Sequence, residues 1–263
     1  MPIAEIDGAR VYYEWSGRAD AETMVLVNSL GSDLHIWDKV VPAFEQKYRV
    51  LRYDVRGHGL SSTSTRPYTI AQLGAELLGL FDGAEVGQAH VCGVSLGGML
   101  GIWMGIHHPK RTGRLILANT AARIGTREGW DERIAAVRGG GMAPIAQLMP
   151  GRWFTERYRQ EHPLEMEQIR RMIEGTSSEG YIGCCEVLRD ADLRRDLARI
   201  HAPSLVIAGS ADPATPPAGC RALHAALRNS EYLELEASHI SPWERGEEFA
   251  AAVLNFLYKG ARG

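Results

Sequence analysis

Residues 90–97 run His90-Val-Cys-Gly-Val-Ser95-Leu-Gly97, a short apolar segment that hands over directly to a serine between two glycines. His90 to Val94 reads as a strand, and Gly97 to His108 reads as a helix stopped by Pro109. The Gly-x-Ser-x-Gly pattern at such a junction is that of a sharp turn presenting its serine as a nucleophile. A turn this tight strains the serine backbone, so the residues two positions away must be small, and Gly93 and Gly97 are. The Ser95 hydroxyl is then pushed out above the sheet, with the N–H of Leu96 facing the same space. Glycine-rich turns that hold dinucleotides want Gly-x-Gly-x-x-Gly, and here Ser95 stands at the middle glycine's place.

On either side the same alternation of element types continues. Ile3 to Trp15 reads as a two-stranded hairpin about Asp7-Gly8, Met24 to Asn28 as a buried strand, Trp37 to Tyr48 as a helix and Arg49 to Asp54 as a strand. Thr69 to Phe81 has helical spacing, and Arg114 to Asn119 is a further strand. From Ala122 to about Leu197 there are amphipathic stretches and no strand pattern. Strands return at Ser204 to Ala208 and Glu231 to Leu235, with helices at Gly219 to Leu227 and Glu247 to Tyr258. Strand-helix repetition of this kind builds a parallel sheet with right-handed crossovers. The expected class is α/β: a mostly parallel eight-stranded sheet flanked by helices, with core residues 1–121 and 198–263. A helical cap, 122–197, is inserted after the sixth strand.

The bulk numbers fit this class. With 263 residues and 45% hydrophobic content the chain can bury one sizeable core without a second independent domain. Lys and Arg total 29 against 32 Asp and Glu, so the cationic excess of a nucleic-acid binder is missing. No leader-like or membrane-spanning stretch is evident, which makes the cytoplasm the expected compartment and a membrane role unexpected. Cys92, Cys184, Cys185 and Cys220 follow neither metal-ligand nor disulfide spacing and read as ordinary thiols. No metal or organic cofactor is expected, and a homo-oligomer is compatible with the sequence.

A serine hydroxyl is a feeble nucleophile until a base takes its proton, and the base needs an anion to fix its tautomer. In α/β-hydrolases these partners follow in the order serine, acid, histidine, each in a loop after a strand. Asp212, in Gly209-Ser-Ala-Asp-Pro, and His239, in Ala237-Ser-His-Ile, have both the order and the placement. Alone, Asp212 would pass for a turn former, and His239 for a surface or capping histidine. Asp54 and His58 precede Ser95, and Arg56-Gly-His-Gly59 reads as a structural turn. His107-His108 ends a helix, and His35 is expected to line the pocket without a catalytic role. The amides of Leu96 and Leu30, the latter in Asn28-Ser-Leu-Gly31, are the expected oxyanion donors.

Several longer segments then carry a resemblance. They are Asn28-Ser-Leu-Gly-Ser-Asp33 with Trp37, Arg52-Tyr-Asp54 through Gly59, Pro67-Tyr-Thr69, Asn119 to Gly125, Arg152-Trp-Phe154, Gly180-Tyr181 with Cys184-Cys-Glu186, and Ala237 to Ile240. On these the chain resembles the 3-oxoadipate enol-lactonases nearly end to end. The resemblance implies attack of Ser95 on a lactone carbonyl, ring opening with a tethered enolate, and hydrolysis of the acyl-enzyme to 3-oxoadipate. The implied partner is a small carboxylated lactone, whose carboxylate needs a cationic or multi-donor site. Arg133, Arg152 and Trp153 are the candidates, and Trp243, in a segment unlike that of many relatives, is expected to reshape the pocket.

Two rival readings stand beside this one. A carboxylesterase or perhydrolase-like enzyme would act on small neutral esters with the same residues. A ligand receptor would keep the fold but turn over poorly. Dehalogenases and epoxide hydrolases of this fold carry Asp where this chain has Ser95.

Overall fold

A computed structural model describes residues 2–64 and 67–259. Eight strands form one sheet in the order β1-β2-β4-β3-β5-β6-β7-β8. β1 (Ile3–Ile6) and β2 (Ala9–Gly17) are the expected antiparallel hairpin, turned at Asp7 and Gly8, whose φ values of 47° and 73° are the left-handed pair such tight turns require. β2 also runs antiparallel to β4 (Arg49–Tyr53). The remaining pairs, through β3 (Thr23–Val27), β5 (Ala89–Val94), β6 (Thr112–Ala118), β7 (Ser204–Gly209) and β8 (Ser230–Leu235), are parallel.

The central strands are apolar because helices cover them on both faces. Val25, Val91, Ile116 and Val206 are fully buried, one from each of four central strands. The expected helix over Trp37 to Tyr48 is not continuous. A 3-10 turn, Leu34–Trp37, is followed after a gap by the short α1, Val41–Phe44. Pro42 lacks the N–H that would tie it to the preceding turn, so α1 starts beside it, at Val41. α2 (Ile70–Gly83) is capped by Thr69 Oγ1 on the amide of Gln72, and α3 (Leu96–His107) is buried from Leu96 through Ile106. That all-round apolar surface places α3 inside the molecule, against β5 and β6.

After β6 the chain forms six successive helices: α4 (Arg127–Gly140), α5 (Ala143–Leu148), α6 (Pro150–Trp153), α7 (Glu156–Glu161), α8 (Pro163–Gly175) and α9 (Ser178–Asp190). This helical segment sits tightly on the turn after β4. A Cβ at Gly57 would lie 2.3 Å from the Gly180 Cα, so neither position has room for a side chain. α10 (Pro217–Ala226), α11 (Ser241–Glu244) and α12 (Gly246–Lys259) complete the flanks. Among the described residues no helix is long and apolar enough to cross a membrane, and the four cysteines are free and buried.

Candidate active site

Ser95 stands between β5 and α3 with φ 57° and ψ −114°, the strained turn expected from the glycines around it. Such a conformation costs about 1–3 kcal/mol and persists only where its surroundings enforce it. Here they do: a Cβ at Gly97 would come within 2.0 Å of the Val27 carbonyl oxygen, and one at Gly93 within 2.2 Å of that of Gly97. The Ser95 N–H donates to Ala118 O at 3.0 Å, and Thr120 Oγ1 donates to Ser95 O at 2.7 Å.

Asp212 follows β7 and is held from every side. Its Oδ1 accepts the amides of Ala214 at 2.7 Å and Thr215 at 3.0 Å. Its Oδ2 accepts Thr215 Oγ1 at 2.6 Å, Asn119 Nδ2 at 3.0 Å and His239 Nδ1 at 2.8 Å. Burial pushes this carboxyl up, but the His239 ring and the Thr215 donors outweigh it and hold the group down at about 2. Because Asp212 accepts from Nδ1, the proton of a neutral His239 belongs there and the lone pair belongs to Nε2. Ser95 and His239 open on one cavity of about 460 Å³, although among the described residues no hydrogen bond joins them. Such contacts commonly tighten only when substrate is bound.

The loop after β3 also reaches this cavity, which Ser29 and Leu30 line. Ser29 O accepts the Ser32 amide at 3.2 Å and Ser32 Oγ at 2.8 Å. Since a trans peptide sets N–H opposite C=O, this turn sets the Leu30 N–H relative to the loop itself, and that N–H has no partner among the described residues. Leu96 is the first residue of α3, where a helix has no carbonyl of its own for the amide. Asn28 braces the loop by donating to Tyr53 O at 2.9 Å and accepting Trp37 Nε1 at 2.9 Å.

The cavity walls are mostly apolar, with Arg133, Arg152 and Glu132 among them. Arg133 Nη1 lies 3.1 Å from the Tyr181 hydroxyl and 3.3 Å from Met149 Sδ, and Arg152 Nη2 is 3.4 Å from Pro213 O. Neither guanidinium has a carboxylate partner among the described residues. Trp153 is buried and lines the wall. Trp243 does not line it. Its indole N–H donates to Glu165 Oε2 at 2.6 Å, and Lys39 Nζ lies 5.2 Å from its ring centre, so a carboxylate in α8 draws it away from the pocket. His35 does not line it either, being paired with Asp38 at 3.0 Å.

Sequence reading gave no site role to Asn119, Thr215 or Tyr181. Thr215 could have been found, because a hydroxyl three residues after an aspartate is placed to close a local turn on it. Asn119 follows β6 with φ 47°, a conformation asparagine tolerates better than most residues. Tyr181 sits in a helix distant in sequence, and only the packing of α4 on α9 brings it to Arg133.

A family model described as alpha/beta hydrolase fold matches residues 22–246. The 3-oxoadipate enol-lactonase 2 of Acinetobacter baylyi is 43% identical over 241 residues, covering 92% of this chain and 90% of the relative. The 3-oxoadipate enol-lactonase 1 of the same organism is 33% identical, covering 97% and 96%. The crystal structure of the enol-lactonase from Burkholderia xenovorans LB400 superposes with a TM-score of 0.96 at 42% identity, covering 98% of this chain and all of that one. A sheet of this order, a strained Ser95 at its centre and relatives matched almost end to end agree: the chain belongs to the α/β-hydrolase fold and, within it, to the 3-oxoadipate enol-lactonase family of carboxylic ester hydrolases.

Proposed function

We propose that this chain opens the ring of 3-oxoadipate enol-lactone to give 3-oxoadipate, with Ser95, His239 and Asp212 as its triad. Ser95 Oγ attacks the lactone carbonyl while His239 Nε2 takes its proton. The oxyanion is met by the amides of Leu30 and Leu96, each worth about 3–4 kcal/mol in such a site. Collapse breaks the ring C–O bond, the leaving enolate oxygen takes the proton back from His239, and the tethered enol then tautomerises to the ketone by giving up its O–H proton as carbon gains one. Water, deprotonated by His239, then attacks the Ser95 ester, and breaking that bond frees 3-oxoadipate and the serine. None of these steps calls for a metal or an organic cofactor.

The observation that carries the lactone reading is the pair Arg133 and Arg152, cations without carboxylate partners on a cavity shared with Ser95 and His239. A neutral ester offers them only a neutral carbonyl acceptor, whereas a carboxylated lactone satisfies a guanidinium with charge-assisted hydrogen bonds. Trp153 would form the wall beside that carboxylate. A second reading, hydrolysis of small neutral esters, draws on the apolar remainder, Ile145, Leu148, Met149 and Leu188. Steady-state kinetics separates the two: kcat/KM should favour the enol-lactone over p-nitrophenyl acetate, and the reverse preference defeats the lactone assignment. Ser95→Ala should abolish both activities, and ligand binding without turnover in the parent chain would mark a receptor instead.

A further inference from the structure

His58 lies outside the triad, yet it touches the loop that carries the Leu30 amide. Its Nε2 accepts the Gly31 N–H at 2.9 Å, and its Nδ1 faces Arg56 O at 3.1 Å. A carbonyl oxygen can only accept, so Nδ1 holds the proton and Nε2 holds the lone pair. The ring is 1% exposed and rides on an anchored turn: His58 N donates to Val55 O at 2.9 Å, and Ser61 N donates to His58 O at 3.0 Å. Burial, working against the two backbone contacts that favour the proton, holds the imidazole down at about 4, so it stays neutral in ordinary buffers.

Gly31 is the residue this contact controls. Its φ of 81° is left-handed, and a Cβ there would lie 2.9 Å from Tyr181 Cε2, so the chain folds back sharply under that ring. The Gly31 N–H belongs to the peptide after Leu30, and the Leu30 N–H to the peptide before it. Ser32 fixes the earlier plane through Ser29 O. That turn is internal to the loop, whereas the later plane is tied outside it, its N–H meeting His58 Nε2. The two contacts together restrain both peptides flanking the Leu30 Cα, and without His58 the loop keeps only its internal turn to hold the Leu30 N–H.

We infer that His58 is a positioning residue for the oxyanion: by accepting the Gly31 N–H it aims the Leu30 amide at the charge that develops on the substrate carbonyl. This rests on the roles proposed for Ser95 and Leu30. The requirement is for a side chain that donates to Arg56 O from one atom and accepts from Gly31 at another. Glutamine can meet it through its amide, and leucine, of similar bulk, cannot.

The test uses the full chain with His58→Leu and His58→Gln. For the leucine variant, kcat with the enol-lactone should fall roughly tenfold to a hundredfold while KM stays within about twofold. An alkyl boronic acid, which bonds to the serine hydroxyl and sets an oxygen at the amide site, should lose affinity in the same proportion. Competition by 3-oxoadipate, which makes no such adduct, should barely change, a split that general loosening of the fold would not produce. The glutamine variant should recover most of kcat. A folded leucine variant keeping both kcat and boronic acid affinity overturns the inference, as does a stable glutamine variant no faster than leucine. Ser95→Ala separates the layers: its retained turnover would overturn both readings, whereas an inactive Ser95→Ala beside an unimpaired His58→Leu overturns this one alone.

Discussion

His239 Nδ1 stands 2.8 Å from Asp212 Oδ2, and that oxygen also accepts from Asn119 and Thr215. The arrangement fixes a tautomer as well as a position. In Asp212→Asn the amide can turn its N–H toward the ring, which then moves the proton to Nε2, the nitrogen proposed to take one from Ser95. We expect kcat to drop about 10⁴-fold with the fold intact, as such a swap does where a carboxylate orients a catalytic imidazole. Stopped-flow acylation beside a thermal melt checks this. A drop of less than about tenfold would mean that His239 is not oriented by Asp212.

The turn after β4 holds two buried groups whose pH dependences oppose each other. Burial keeps His58 at about 4 against an ordinary 6.5, so the unfolded chain binds the proton first. The stability His58 contributes is complete above 6.5 and is lost as pH falls through 4. Burial also lifts Asp54 to about 6 from 3.8, against the Leu60 and Leu34 amides. Its contribution is complete below 3.8 and is lost as pH rises through 6. His58→Gln removes only the first dependence. Its stability deficit relative to the parent should therefore shrink by about 3 kcal/mol between pH 6.5 and pH 4, read from urea midpoints at each pH. A deficit constant across that range contradicts the assignment.

Where local rules govern, the chain was open to reading. The Ser95 turn, the hairpin at Asp7-Gly8 and the strands follow from glycine placement and apolar runs, and the structure has all of them. Asp212 and His239, which the structure joins by a hydrogen bond, were legible as a pair because each sits in the loop directly after a strand. Trp243 and His35 went astray for a different reason. Each is near the site in sequence, but a contact made elsewhere, with Glu165 or Asp38, decides where the side chain points. No periodicity records such contacts. The break between the Leu34–Trp37 turn and α1 is an intermediate case, since Pro42 was visible but its neighbours are apolar enough to imitate a helix.

If Arg133 meets the substrate carboxylate, its loss should be selective. Arg133→Gln keeps a hydrogen-bond donor near Tyr181 but removes the charge. KM for the enol-lactone should rise roughly tenfold to a hundredfold, the range of one charge-assisted hydrogen bond, while p-nitrophenyl acetate hydrolysis changes little. Equal loss on both substrates would assign Arg133 to the architecture of α4 and α9 instead.

Glu244 gives the last expectation, because its carboxylate joins the helical segment to the loop bearing His239. It accepts Ser238 N at 2.8 Å, Thr155 N at 3.2 Å and Thr155 Oγ1. Two further contacts run in parallel, Ile240 N to Trp153 O at 3.1 Å and Ser238 Oγ to Arg152 O at 2.9 Å. Residues 152–155 and 238–244 thus form one unit, and the wall carrying Arg152 and Trp153 is stitched to the His239 loop. Glu244→Gln keeps the shape but sets an N–H against a donor, which should cost about 1–3 kcal/mol of stability. Amide exchange at Ser238 and Ile240 should quicken, and kcat should fall several-fold because His239 then samples more positions. Unchanged protection at both amides together with parental kcat would show that the His239 loop holds itself without the helical segment.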